Sequence, residues 1–161
     1  MLISNKPINR YSNNNQIFNK TEELEKLKKQ INEIKNCDLK TSSNNLVFGD
    51  GNPDSKIMLI GEGPGAQEDI KGTPFVGAAG QLLDKMLKAI NLDRSVVYIS
   101  NVVNYRPPNN RKPTDDEIKK YYPFLKKHIE IINPKILVLL GATALNAIIG
   151  KENSISKIRG S

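Results

Sequence analysis

At 161 residues, with 38% apolar and 25% charged residues, the chain is sized for one domain that buries an ordinary core without staples. A single cysteine, Cys37, excludes an internal disulfide and cannot alone supply a zinc or iron–sulfur site, while no apolar run approaches the ~18 residues of a membrane span. The formal net charge of +7 favours a polyanionic partner, although a lysine-rich solvated surface gives the same sum.

The opening "MLISNKPINRYSNNNQIF" lacks the continuous apolar segment of a secretory signal. It reads as a disordered polar leader over residues 1–20, with a cytoplasmic location as the default, ahead of a domain over 21–161. From Thr21, "EELEKLKKQINEIKN" carries Leu24, Leu27, Ile31 and Ile34 at three- and four-residue steps, with acids first and lysines later. That pattern predicts an amphipathic helix capped by Thr21. A polar loop and the turns of "LVFGDGNPDSK" lead to a short apolar strand, "IMLIG", that ends in glycines.

From Ala79, the spacing of Leu82, Leu83, Met86, Leu87 and Ile90 predicts a helix with one buried face. "SVVYISNVV" then returns to strand composition and completes a βαβ unit. "NYRPPNNRKPTDDE" is too rich in proline and asparagine to be regular, and Thr114 before three acids marks the next helix start. That helix is expected to bend or break near Pro123. "NPKILVLLGATALNAIIG" again reads strand, turn and helix, its apolar run being that of a central parallel strand buried on both faces. The predicted fold is a three-layer α/β/α sandwich around a mainly parallel sheet.

The glycine-rich stretch from Gly61 lies at the carboxyl end of the first parallel strand, where such folds bind ligands. It lacks the Gly-Lys-Ser/Thr ending of a phosphate loop, and Glu62, Glu68 and Asp69 would repel phosphate. Taken alone, glycines here are better explained by a plain turn.

Four segments carry more. "GEGPGAQED", "GTPFVGAAGQLL", "YISNVVNYRPPNNRKPT" and "INPKILVLLGATA" occur in order and spacing that resemble the family 4 uracil-DNA glycosylases, over about Cys37 to Gly160. The resemblance implies a uracil-DNA glycosylase-like fold and an enzyme of base excision repair. Such an enzyme flips deoxyuridine out of DNA and hydrolyses the N-glycosidic bond. By it, Glu62 and the backbone of Gly63 match a water-positioning and base-binding turn, with Glu68 and Asp69 as secondary acidic candidates. Phe75 matches the ring on which uracil stacks, and Asn101 the amide that pairs with its Watson–Crick edge. Arg106 and Arg111 flank a stiff "PPNN" loop that would set guanidinium groups against DNA phosphates. The implied partners are uracil-containing DNA and free uracil as product, with no membrane and with the chain acting as a monomer.

Two departures from the family qualify these expectations. Its members carry a [4Fe-4S] cluster on four cysteines, where this chain holds Ile34, Cys37, Tyr105 and Tyr121; neither tyrosine nor isoleucine is an ordinary cluster ligand, so no cofactor is expected. Apolar and aromatic packing would fill the volume instead. The family also continues beyond "KIRG" into a last strand and a histidine motif, so the domain is expected to be incomplete at its C-terminus. His128 matches no family motif and is expected to be a surface or half-buried helix residue without a role. The competing functions are a truncated, non-catalytic homologue that binds DNA or uracil, and, more weakly, a small-nucleotide-binding module.

Overall fold

The computed structural model describes residues 12–151. The first helix, α1, runs Ser12–Asn32, so Thr21 lies inside it and does not cap it. Of the leader expected over 1–20, residues 1–11 lie outside the described residues and the rest is helical backbone. Leu24, Leu27 and Ile31, all buried, anchor this helix, and extending an anchored helix backward through polar residues needs no new nucleus.

A short helix, α2 (Asp38–Ser42), and a two-residue strand, β1 (Asp50–Gly51), precede β2 (Ile57–Gly61). Helices α3 (Ala66–Lys71) and α4 (Ala78–Ala89) lead to β3 (Tyr98–Asn101). A 3-10 turn over Pro108–Asn110 is followed by α5 (Asp115–Ile132), β4 (Ile136–Leu139) and α6 (Ala142–Ile149).

The sheet has the order β1-β3-β2-β4. β2 pairs in parallel with β3 and β4, and β1 adds antiparallel to β3. Alternation along the strands sorts side chains to two faces. Met58, Ile60 and Tyr98 join α1, α5 and α6 in the larger core, and Leu59 and Ile99 meet Leu83 and Leu87 of α4 on the other. Helices therefore cover both faces, as the three-layer prediction requires.

α5 is not interrupted at Pro123. One proline forfeits a single backbone bond, whereas Tyr121, Leu125, His128 and Ile132 are buried on both sides of it and hold the helix to the core. β4 is no central strand among the described residues, because it pairs with β2 alone, and Ile136 is 55% exposed. The start of α5 is as expected: Thr114 Oγ1 accepts from Glu117 N at 3.2 Å, and the Glu117 carboxylate accepts from Thr114 N at 2.8 Å, a reciprocal cap. No helix among the described residues is long and apolar enough to cross a membrane.

His128 is fully buried, contrary to the surface or half-buried position expected. Its ring stacks on Phe48 with centroids 4.4 Å apart and its Nε2 lies 2.9 Å from the Tyr98 hydroxyl. Burial pushes its pKa down from 6.5 to about 4. The unfolded chain therefore takes up this proton first. His128 contributes nothing pH-dependent above pH ~6.5, and stability is lost as pH falls from there toward 4, by about 3 kcal/mol in all. Unfolding titrations between pH 7 and 4 are expected to show this loss in the parent chain and a correspondingly flatter profile in His128→Leu.

Candidate active site

β2 and β3 end level with each other, Gly61 opposite Asn101, and β4 runs beside β2 up to the register Ile60–Leu139. Three carboxyl ends thus open on one edge of the sheet, the usual ligand position of a parallel α/β fold. A cleft of about 410 Å³ lies there. Glu62, Gly63, Phe75 and Asn101 all line it, although they come from three separate loops and strand ends.

Asn101 is 3% exposed, and its Oδ1 has no hydrogen-bond partner among the described residues. A buried acceptor left open costs ~1–3 kcal/mol, so its place on a cleft wall asks for a ligand that donates to it. The ring of Phe75 stands close by. A Cβ built on Gly61 would sit 2.5 Å from both Asn101 Oδ1 and the Phe75 ring, so only glycine at the end of β2 leaves the amide and the ring this near together. Phe75 itself holds the left-handed φ of 55°.

Glu62 points at the same space, and its Oε2 accepts a hydrogen bond from the Thr143 hydroxyl in the first turn of α6. Thr143 was not singled out from sequence. It lies 81 residues away, in a "GATA" segment that reads only as a turn into a helix.

The other two acids do different work. Glu68 Oε1 accepts from Val76 N at 2.9 Å and Gly77 N at 2.8 Å, so it clamps the turn that carries Phe75. Burial alone would push its carboxyl up; the backbone N–H groups of Gly77, Val76 and Gly65 outweigh that and hold it below the usual range. Its carboxylate is thus bonded into the turn while also lining the cleft. Asp69 does not line the cleft: it is 1% exposed and its oxygens accept from Asn44 N, Asn44 Nδ2 and Asn45 N at 2.6 to 3.1 Å. The structure thus does not bring Asp69 together with Glu62, Phe75 and Asn101.

Pro107, Asn110 and Arg111 also line the cleft. Arg111 grips Glu117 with both terminal nitrogens, at 2.9 and 2.7 Å, and Arg106 Nε donates to Asn110 Oδ1 at 2.8 Å without lining the cleft. Both cations stand at the rim already engaged, so a phosphate would share them with protein acceptors.

A family model described as "Uracil DNA glycosylase superfamily" matches residues 48–159. A type-4 uracil-DNA glycosylase of Thermotoga maritima is 46% identical over 145 residues, which cover 89% of this chain and 76% of the relative. The chain belongs to the type-4 uracil-DNA glycosylases. A second such relative, from Sulfurisphaera tokodaii, is 49% identical over 85% of this chain and 64% of its own length. A third, from Archaeoglobus fulgidus, is 43% identical over 86% and 72%. The chain therefore spans about two thirds to three quarters of the length of these relatives.

Of the four positions that the resemblance aligns with cluster cysteines, three lie in one buried region. Cys37, Tyr105 and Tyr121 are buried in the larger core and Ile34 packs against it. Cys37 Sγ and the Tyr121 hydroxyl share a hydrogen bond of 3.1 Å, and the Tyr105 hydroxyl donates to Asn32 Oδ1 at 3.2 Å. Burial, with the Cys37 contact second, pushes the Tyr121 hydroxyl far above its ordinary range, so it stays neutral. One thiol, two neutral phenols and an isoleucine do not fit an iron–sulfur cluster, which takes thiolates. Both phenols instead have the partners that buried tyrosines require.

Proposed function

We propose that this chain removes uracil from DNA by hydrolysing the N-glycosidic bond of an everted deoxyuridine. The observation that carries the reading is the open, buried Oδ1 of Asn101 beside the Phe75 ring. A carboxamide offers one acceptor and a pair of donors side by side, which complements the N3–H and O4 of uracil. A flat apolar ring next to it adds stacking, worth ~1–3 kcal/mol in comparable sites.

Bond cleavage leaves positive charge on the sugar and negative charge on the base. On this reading Glu62, held in orientation by Thr143, is the carboxylate that opposes the sugar's charge and takes the proton from the attacking water. The water oxygen bonds to C1′, the C1′–N1 bond breaks, and the electron pair leaves with uracil. The Asn101 amide donates to O4, where part of that charge resides, and Gly63 lines the same cleft. All of these groups sit on one chain, which supports action as a monomer. Arg106 and Arg111 on the rim, with a net charge of +7, support phosphate contacts and a DNA affinity that falls steeply with salt.

The same reading places no iron–sulfur cluster in the protein. Purified chain is expected to contain no iron or acid-labile sulfide in stoichiometric amount, even when refolded with both; a brown protein with four irons per chain would refute this. Its one thiol, Cys37, is buried and unpaired, which suits the cytoplasm. The cleft is tested by titrating the chain with free uracil by calorimetry. Saturable one-to-one binding of uracil, with thymine much weaker, is the expected result, and no binding of uracil by folded chain would reject the reading.

A further inference from the structure

The stacking ring needs an explanation that its own turn does not provide. An aromatic residue at φ 55° is strained, since the left-handed region costs a residue other than glycine about 1–2 kcal/mol. The conformation persists only if its surroundings over-determine it. Glu68 supplies one hold, on the N–H groups of Val76 and Gly77. The two carbonyls before them, those of Pro74 and Phe75, are held by a residue far from the motif.

That residue is Arg94, in the turn between α4 and β3. Its Nη1 donates to Pro74 O at 2.9 Å and its Nη2 to Phe75 O. The same guanidinium is itself anchored, through Nε to Asp84 Oδ1 of α4 at 2.8 Å and through Nη1 to Asp50 Oδ2 of β1 at 3.2 Å. A planar fork with five donors can join a helix, an edge strand and two successive carbonyls, and a lysine cannot. Gly80 makes room for this arrangement: a Cβ there would lie 1.8 Å from Phe75 O, inside contact with the carbonyl that Arg94 holds.

We propose that Arg94 is a positioning residue for the base-stacking ring, fixing Phe75 in its left-handed conformation by tying the carbonyls of Pro74 and Phe75 to α4 and β1. This rests on the reading of Phe75 as the stacking surface. Arg94 does not line the cleft and would act only through the turn. If it served merely as a surface ion pair with Asp50 and Asp84, its loss would lower stability slightly and leave the ring in place.

The chain has four phenylalanines, so labelling with 4-fluorophenylalanine gives a fluorine spectrum in which the Phe75 line is identified by its loss in Phe75→Leu. In Arg94→Gln that line is expected to shift and broaden while the others stay, and uracil affinity is expected to fall by about 10–100-fold. Arg94→Lys, which keeps the charge beside both aspartates, is expected to show the same ring response and covers the case in which the glutamine variant does not fold. An unmoved Phe75 line in either folded variant overturns the proposal. Failure of the parent chain to bind uracil would overturn the reading of the cleft instead, and the two are distinguishable because the ring signal is recorded without uracil.

Discussion

Glu62→Gln is expected to release uracil from DNA about 10²–10³-fold more slowly than the parent chain, while binding free uracil within about twofold of it. Glutamine keeps the length of the side chain and an oxygen that can accept from the Thr143 hydroxyl, so the wall of the cleft should hold its shape. What it removes is the negative charge opposite the sugar and the oxygen that takes a proton from water. Both matter only as the glycosidic bond breaks, which is why ground-state binding of the base should be spared. Single-turnover rates on a uracil-containing oligonucleotide, set beside a uracil titration, separate the two effects. Equal losses in both would mean that Glu62 binds the base and does no chemistry.

Asn101→Ala is expected to do the opposite in binding. Two hydrogen bonds to the base edge would go, costing about 2–3 kcal/mol, or roughly 10²-fold in uracil affinity. Stability should hardly suffer. In the free protein the Oδ1 of Asn101 has no partner to lose among the described residues, so replacing it relieves a buried, unpaired acceptor. A thermal melt at or above that of the parent, together with lost uracil binding, is the combination expected of a group held ready for a ligand. A variant that melts much lower would instead mark Asn101 as a structural residue at the strand end.

Several parts of this molecule were legible before its structure. Hydrophobic spacing placed α4 and the apolar strands β2 and β3, and the parallel arrangement then brought Gly61 and Asn101 level with each other. The glycine-rich segments marked the cleft because its walls need backbone without side chains, as at Gly61. Sequence neighbours were harder to separate. Glu68 and Asp69 are adjacent in the chain, yet about 100° of helical rotation sends one to the Phe75 turn and the other to Asn44 and Asn45.

Contacts made across long sequence distances left no local mark. Neither Thr143 nor Arg94 was singled out from sequence, and only the fold shows that each braces a residue of the cleft. The fully buried His128 was missed for a related reason. It sits among lysines in "FLKKHIEII", and the stacking on Phe48 that accounts for its burial comes from a distant loop. Of the bend or break expected at Pro123, the break does not occur, because the tertiary packing of the whole helix outweighs one local residue.

The most direct test of the central claim is whether the purified 161-residue chain releases uracil from a duplex oligonucleotide containing a single deoxyuridine, read as strand cleavage after alkali. Cleavage is expected at the uracil position, with none in the thymine control and a loss of cleavage in Glu62→Gln. A chain that melts cooperatively and binds the oligonucleotide or free uracil, yet leaves every glycosidic bond intact, would contradict that claim and mark this protein as a binder that does not cut.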